Sequence, residues 1–183
     1  MCYTKHMIGG DLMDVVMISG KAGSGKDFIA NKIKIYLEER NKKVLIIHFG
    51  DQLKFICEKY FNWDGKKDEK GRTLLQTVGT NEIRSFDDLY FAKNVIEILN
   101  MYDGYWDYVI IPDLRFINEY RLTINNFRTK TIRKSRIGNY SILTEKQQKN
   151  QSETEMDNFS FDYYINDYEK NEFDRIMEDI VNG

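Results

Sequence analysis

Gly20-Lys21-Ala22-Gly23-Ser24-Gly25-Lys26 fits the pattern G-x-x-x-x-G-K. Glycines at 20, 23 and 25 let the backbone turn inward, so that successive N–H groups converge on one point. Such a cradle suits a phosphate, and Lys26 brings a movable positive charge to the outer phosphates of a nucleotide. Asp27 stands where a hydroxyl residue usually follows. Its carboxylate either reaches Mg2+ through water or caps the N-terminus of the next helix. The missing hydroxyl argues against GTPase switches and AAA-type motors.

Bringing two phosphorylated reactants together requires several cations at one edge of a sheet, in a place closed to water. Arg115 stands in Ile111-Pro112-Asp113-Leu114-Arg115, just after an apolar run. Asp113 either holds Mg2+ or its water shell, or caps a following helix. Arg72 and Arg84 lie between helical segments, and Arg128, Arg133 and Arg136 flank a polar stretch. Any single arginine is better read as a solvated surface residue; two or three of these six are expected in a site. Asp51 contacts a substrate or caps a helix, and the two readings stay level.

The elements that must position these groups alternate along the chain. Val15–Ile18 predicts a buried strand and Ile29, Ile33, Tyr36 and Leu37 one face of a helix. Lys43–Phe49 predicts a second strand. Leu53, Ile56, Cys57 and Tyr60 predict a helix with Cys57 as a core thiol. Residues 62–71 are turn-rich, helices follow over Thr73–Val78 and through Leu89, Ala92, Ile96 and Leu99, and Tyr108–Ile111 predicts a third strand closed by Pro112. Residues 115–124 read as helix, Thr129–Arg133 and Asp162–Ile165 as strands, and Phe173, Ile176, Met177 and Ile180 as a closing helix. This alternation predicts an α/β protein with three layers, a five-stranded parallel sheet covered by helices on both faces. Ligands then bind at the strand C-termini.

The 183 residues suffice for one domain, 1–183, with a loose N-terminal arm over 1–13. Apolar residues at 42% and charged residues at 31% exclude a disordered tail. Lys plus Arg number 27 against 29 for Asp plus Glu, net −2, so no basic field is there to hold a nucleic acid. Cys2 and Cys57 with two histidines give neither a motif-spaced zinc site nor a disulfide scaffold. Apolar runs reach about five residues, against the ~20 that span a bilayer. With no apolar leader, these features predict a cytoplasmic protein without a membrane partner. Tyr102, Tyr105 and Trp106 form either a homodimer patch or a plain core edge.

The chain resembles the deoxynucleoside monophosphate kinases of bacteriophages over about residues 15–170. The shared features are GKAGSGKD, ending at Asp27; FGDQLK (Phe49–Lys54); WDGKKDEKGRTLLQTVGT (Trp63–Thr80) with Arg84 four residues on; IPDLRFINE (Ile111–Glu119); Ser152-Glu153; and FDYYIND (Phe161–Asp167). Asn150 stands where family members often carry a histidine. The resemblance implies a P-loop kinase fold, ATP with Mg2+, and transfer to a deoxynucleoside monophosphate. It implies an acceptor-binding helical excursion over 60–100, with Arg72, Gln76 and Arg84 on the acceptor side and Asp51, Lys54, Trp63 and Glu153 as further substrate contacts. It places the Asp113-Leu114-Arg115 unit by the transferred phosphate beside Lys26, with Asp27 and Asp113 toward the metal.

Residues 135–152 show no helical or strand period, contain Gly138, and lie between the fourth and last strands. A transfer site must exclude water, so this segment is expected to be a mobile lid that brings Arg133 or Arg136 to the ATP phosphates. Competing expectations are a P-loop kinase for another small metabolite, such as phosphomevalonate or dephospho-coenzyme A, and a nucleotide-binding regulator without catalysis.

Overall fold

The computed structural model describes residues 13–136 and 142–182. Five strands, β1 (Asp14–Ser19), β2 (Val44–Ile46), β3 (Tyr108–Leu114), β4 (Arg128–Lys134) and β5 (Tyr163–Ile165), form one parallel sheet in the order β2-β3-β1-β4-β5. The chain runs from β1 out to β2, back to β3, and then across β1 to β4. The order therefore reverses between β1 and β3, and the crevice outside their C-termini is where such a sheet binds ligands.

Residues along β1 alternate between two cores. Val15 and Met17 join Val109, Ile111, Phe91, Val95 and Leu99 on one face, while Val16 and Ile18 join Ile110 and Ile132 on the other. The second face is covered by α1 (Lys26–Glu38), which buries Ile29, Ala30, Ile33 and Leu37, and by a C-terminal helix over Lys170–Asn182, which buries Phe173, Met177 and Ile180. Met13, expected in a loose arm, is buried in the first core; the rest of that arm lies outside the described residues.

Several boundaries differ from the sequence expectation, each for a local reason. The second strand stops at Ile46 because the N–H groups of Phe49 and Gly50 turn away to the Asp113 carboxylate. β3 runs through Pro112 to Leu114, where the register against β1 is irregular between Met17 and Ser19, so the proline breaks no regular ladder. Next along the chain are α2 (Asp51–Tyr60) and α3 (Glu69–Gln76), the latter started by Asp68, whose side chain accepts from Gly71 N. A π turn over Thr77–Ile83, the short α4 (Arg84–Phe86) and α5 (Tyr90–Met101) complete the excursion. After β3 comes α6 (Ile117–Ile124). Residues 135–152 are not wholly irregular: α7 (Glu145–Gln148) and α8 (Gln151–Thr154) are capped by the side chains of Thr144 and Asn150. One-turn helices carry no apolar stripe to read. Gly138 lies outside the described residues. The C-terminal helix is α9. Among the described residues no helix is long and apolar enough to cross a membrane.

Candidate active site

A cleft of about 390 Å3 opens at the β1/β3 crevice. Ala22, Gly23, Lys26 and Asp27 line it from the glycine-rich loop, Pro112, Asp113 and Arg115 from the end of β3, and Lys54, Arg72, Gln76 and Arg84 from the excursion. Ser152 and Glu153 close it from α8.

The loop between β1 and α1 has the shape a phosphate cradle needs. Gly23 and Gly25 have φ of +79° and +92°, and a Cβ on Gly20 would overlap the Lys134 carbonyl oxygen. Ser24 is buried in the loop, and its hydroxyl has no partner among the described residues. The Lys26 ammonium donates to the Gly20 and Lys21 carbonyls at 2.7 and 3.0 Å. Burial, and then the Arg115 charge, lower its pKa to about 8.

Asp27 does not cap α1, whose N-terminus has no side-chain cap. Its carboxylate faces His48 Nε2 at 3.3 Å, and the other ring nitrogen of His48 lies 3.4 Å from Asp51. Hydrogen bonds to these two carboxylates raise the His48 pKa to about 9, and the His48 hydrogen bond is the first cause holding Asp27 low. Asp51 also accepts from Lys54 and from the His48 backbone, is held well below the usual carboxylate range, and does not line the cleft. Asp113 accepts from Phe49 and Gly50 N–H at 2.9 Å each. Among the described residues no group of three or more acidic, histidine or cysteine side chains could cage a metal. Asp27 and Asp113 at the cleft fit an ion carried by nucleotide phosphates with water in between, the usual habit of Mg2+.

The opposite wall is built from side chains that meet across long sequence separations. Arg84 pairs with buried Glu119, donates to the Asp88 carbonyl, and lies 3.8 Å from the Phe116 ring centroid and 5.0 Å from that of Phe91. Arg115 pairs with Glu153 and donates to Ser152 O. Glu153, 8% exposed, also accepts from Ala22 N–H, so its carboxylate bridges the loop and Arg115. Gln147 of α7 is buried and donates to Glu69 O and Thr73 Oγ1, while Gln76 donates to its carbonyl.

Three of the six candidate arginines, Arg72, Arg84 and Arg115, thus reach the cleft. Arg128 pairs with Asp14 at the far end of the sheet. Arg133 bonds Ser19 Oγ and Asp157, Arg136 is exposed, and neither lines the cleft. Lys21 bonds Asp157 and Glu153 O. Trp63 is no cleft residue: it packs with Cys57 and Val78, and its indole N–H holds Lys66 O at 3.0 Å. Trp106 packs against the core, while Tyr102 and Tyr105 are exposed. Sequence reasoning assigned no role to His48, Glu119 or Gln147. Glu119 had one available signal, an acid three residues into a helix.

A scan against protein-family models finds no match, and a comparison with curated proteins finds none either. Among solved structures, the chain is similar to the Mycobacterium tuberculosis APS kinase CysC in complex with AMPPNP and APS, at 9% identity and a TM-score of 0.54, covering 94% of this chain and 98% of that one. A mutant of the same enzyme gives 9% and 0.52, covering 94% and 97%. A shikimate kinase from Bacteroides thetaiotaomicron gives 12% and 0.49, covering 92% and 96%. The five-stranded parallel sheet with helices on both faces is the fold of the P-loop kinases.

Proposed function

We propose that the chain transfers the γ-phosphate of ATP to the phosphate of a deoxynucleoside monophosphate. An acceptor phosphate oxygen forms a bond to the γ-phosphorus as the bond to the bridging oxygen breaks, and ADP leaves. The observation that carries the reading is one cleft lined by the loop lysine and by Arg72, Arg84 and Arg115. With Lys54 and Lys67, six lysine and arginine side chains face four carboxylates there, an excess of positive charge suited to phosphorylated reactants. A phosphate acceptor is already anionic and needs no strong base. A hydroxyl acceptor would gain from one, and the acceptor screen separates the two cases.

Lys26 and Arg115 stabilise the charge that spreads over the transferring group. Mg2+ carried by ATP would neutralise phosphate charge near Asp27 and Asp113. The described part of 135–152 serves as the lid, residues 137–141 lying outside the described residues. Gln147 already seats α7 on α3, and Ile142 stands 3.2 Å from where a Gly23 Cβ would lie. ADP release measured over the four deoxynucleoside monophosphates, their ribose counterparts, phosphomevalonate and dephospho-coenzyme A tests the assignment. Strongest turnover with a deoxynucleotide is expected. Preference for one of the other metabolites replaces the acceptor and keeps the donor half. Undetectable turnover with tight ATP binding makes the chain a nucleotide-binding regulator.

A further inference from the structure

Glu119 belongs to neither the loop nor the arginine set, yet it is 1% exposed and bonded to the Arg84 guanidinium and the Arg115 backbone. One carboxylate oxygen, Oε1, takes the ion pair from Arg84. The other, Oε2, accepts the backbone N–H of Arg115 at 2.9 Å and of Phe116 at 3.1 Å. The residues it joins lie on α4, within the excursion, and at the exit of β3. The Phe116 ring also covers the Arg84 guanidinium.

We propose that Glu119 is a positioning residue that fixes, through the two oxygens of one carboxylate, the offset between Arg84, which presents its charge to the acceptor, and Arg115, which faces the transferring group. The guanidinium of Arg84 has five N–H donors. Its Nη1 gives one hydrogen to Asp88 O and its Nη2 one to Glu119, and the Phe116 and Phe91 rings limit its tilt, leaving the remaining donors for a ligand in the cleft it lines. A long cationic side chain held this way loses less entropy on binding an anion than a free one. The Arg115 side chain starts from a backbone anchored to the same carboxylate, so the two charges keep a fixed offset. Burial raises the Glu119 pKa to about 7 and Arg84 opposes that shift, so the carboxylate depends on its arginine to stay charged. The inference rests on reading the cleft as the acceptor site.

Glu119→Gln separates positioning from support of the fold. Its amide oxygen can keep both backbone N–H groups, but its NH2 then faces the Arg84 guanidinium, donor against donor. Steady-state kinetics should show the acceptor KM raised about tenfold or more, with the ATP KM changed less than about twofold. Glu119→Asp, which keeps the charge on a shorter arm, should show the same selective rise at smaller size, and it serves if the glutamine variant does not fold. Parallel changes in both KM values, or unchanged KM values with a lowered Tm, overturn the inference and leave Glu119 as a helix cap. The wild-type acceptor screen is run first: if another metabolite wins, the deoxynucleotide reading falls and the KM comparison proceeds with that acceptor. If no acceptor turns over, both fall.

Discussion

The two halves of the cleft are made in opposite ways. On the proposed reading, the donor half is eight consecutive residues, Gly20–Asp27, shaped by two left-handed glycines and by a backbone that touches Lys134 closely at Gly20. The acceptor half is assembled from α2, α3, α4, the end of β3, α6 and α8, and is held by ion pairs across 35 and 38 residues. Backbone geometry sets the first, so most of its side chains can change and its glycines cannot. Buried charge pairs set the second, where removing one partner leaves the other uncompensated.

Lys26→Ala should cut deepest, because on the proposed reading it removes the loop cation that meets the phosphates. A kcat loss of about 10²-fold or more is expected from losing such a contact. Thermal unfolding should barely move, since Lys26 contacts loop carbonyls and not the core. Near-normal turnover would remove the glycine-rich loop from the chemistry.

A pair of glycine substitutions tests the contrast directly. In Gly20→Ala the new Cβ overlaps the Lys134 carbonyl oxygen, and in Gly71→Ala it overlaps the Lys66 carbonyl oxygen and stands 2.6 Å from Trp63 Nε1. Neither obstacle is a flexible side-chain end, so each variant should lose about 1–3 kcal/mol of stability. Activity should separate them. Gly20→Ala is expected to weaken ATP binding about tenfold or more, and Gly71→Ala to raise the acceptor KM while sparing ATP. Equal effects on both ligands from either variant would show that the two halves deform as one.

What the sequence disclosed follows the same division. The donor loop was readable because its residues are contiguous and its glycines meet steric demands any copy would share. β1, β2 and β3 were readable from apolar runs, as buried parallel strands are, whereas β4 has Ile132 as its only aliphatic residue and β5 lies at the sheet edge with Tyr164 exposed. The acceptor wall was not. Arg84 and Glu119 stand 35 residues apart, and only the folded chain reveals their pairing. Trp63 shows how a motif misleads: it was expected at substrate, but its indole braces the turn on which Gly71 packs. The π turn also escaped notice, since a bulge after Gln76 leaves no periodic trace; it lets Gly79 sit against Leu53, where a Cβ would come within 2.6 Å of Cδ2.

Glu153 is where the halves meet, and it sharpens the contrast at smaller scale. Its carboxylate takes Ala22 N–H and the Arg115 guanidinium, both of which a phosphate would also seek. Glu153→Gln removes that competing negative charge, so ATP should bind about three- to tenfold more tightly, equivalent to about 1 kcal/mol. Calorimetric titration of ATP reads the sign. Weaker binding would mean that the ion pair holds Arg115 ready for the phosphate, not away from it.

The smallest effect is expected at His48, the other bridge, which links Asp27 on the donor helix to Asp51 on the acceptor edge. Its folded-state pKa is raised from 6.5 to about 9, first by Asp27 and then by Asp51, while both carboxylates are held low and stay ionised throughout that range. A raised folded pKa means that the native state binds the proton more tightly than the unfolded chain does. The stabilisation is therefore complete below pH 6.5 and is lost as pH rises through about 9. Asp27 is 75% exposed and Asp51 50%, so solvent screens the bridge and the gain should stay below about 1 kcal/mol. Urea unfolding of wild type and His48→Gln at about pH 6 and about pH 10 measures it. The wild-type advantage should be present at the lower pH, shrink with added salt, and vanish at the higher. A difference that stays constant with pH would show that His48 stabilises by packing alone, and that the donor and acceptor halves are not joined by charge at this edge.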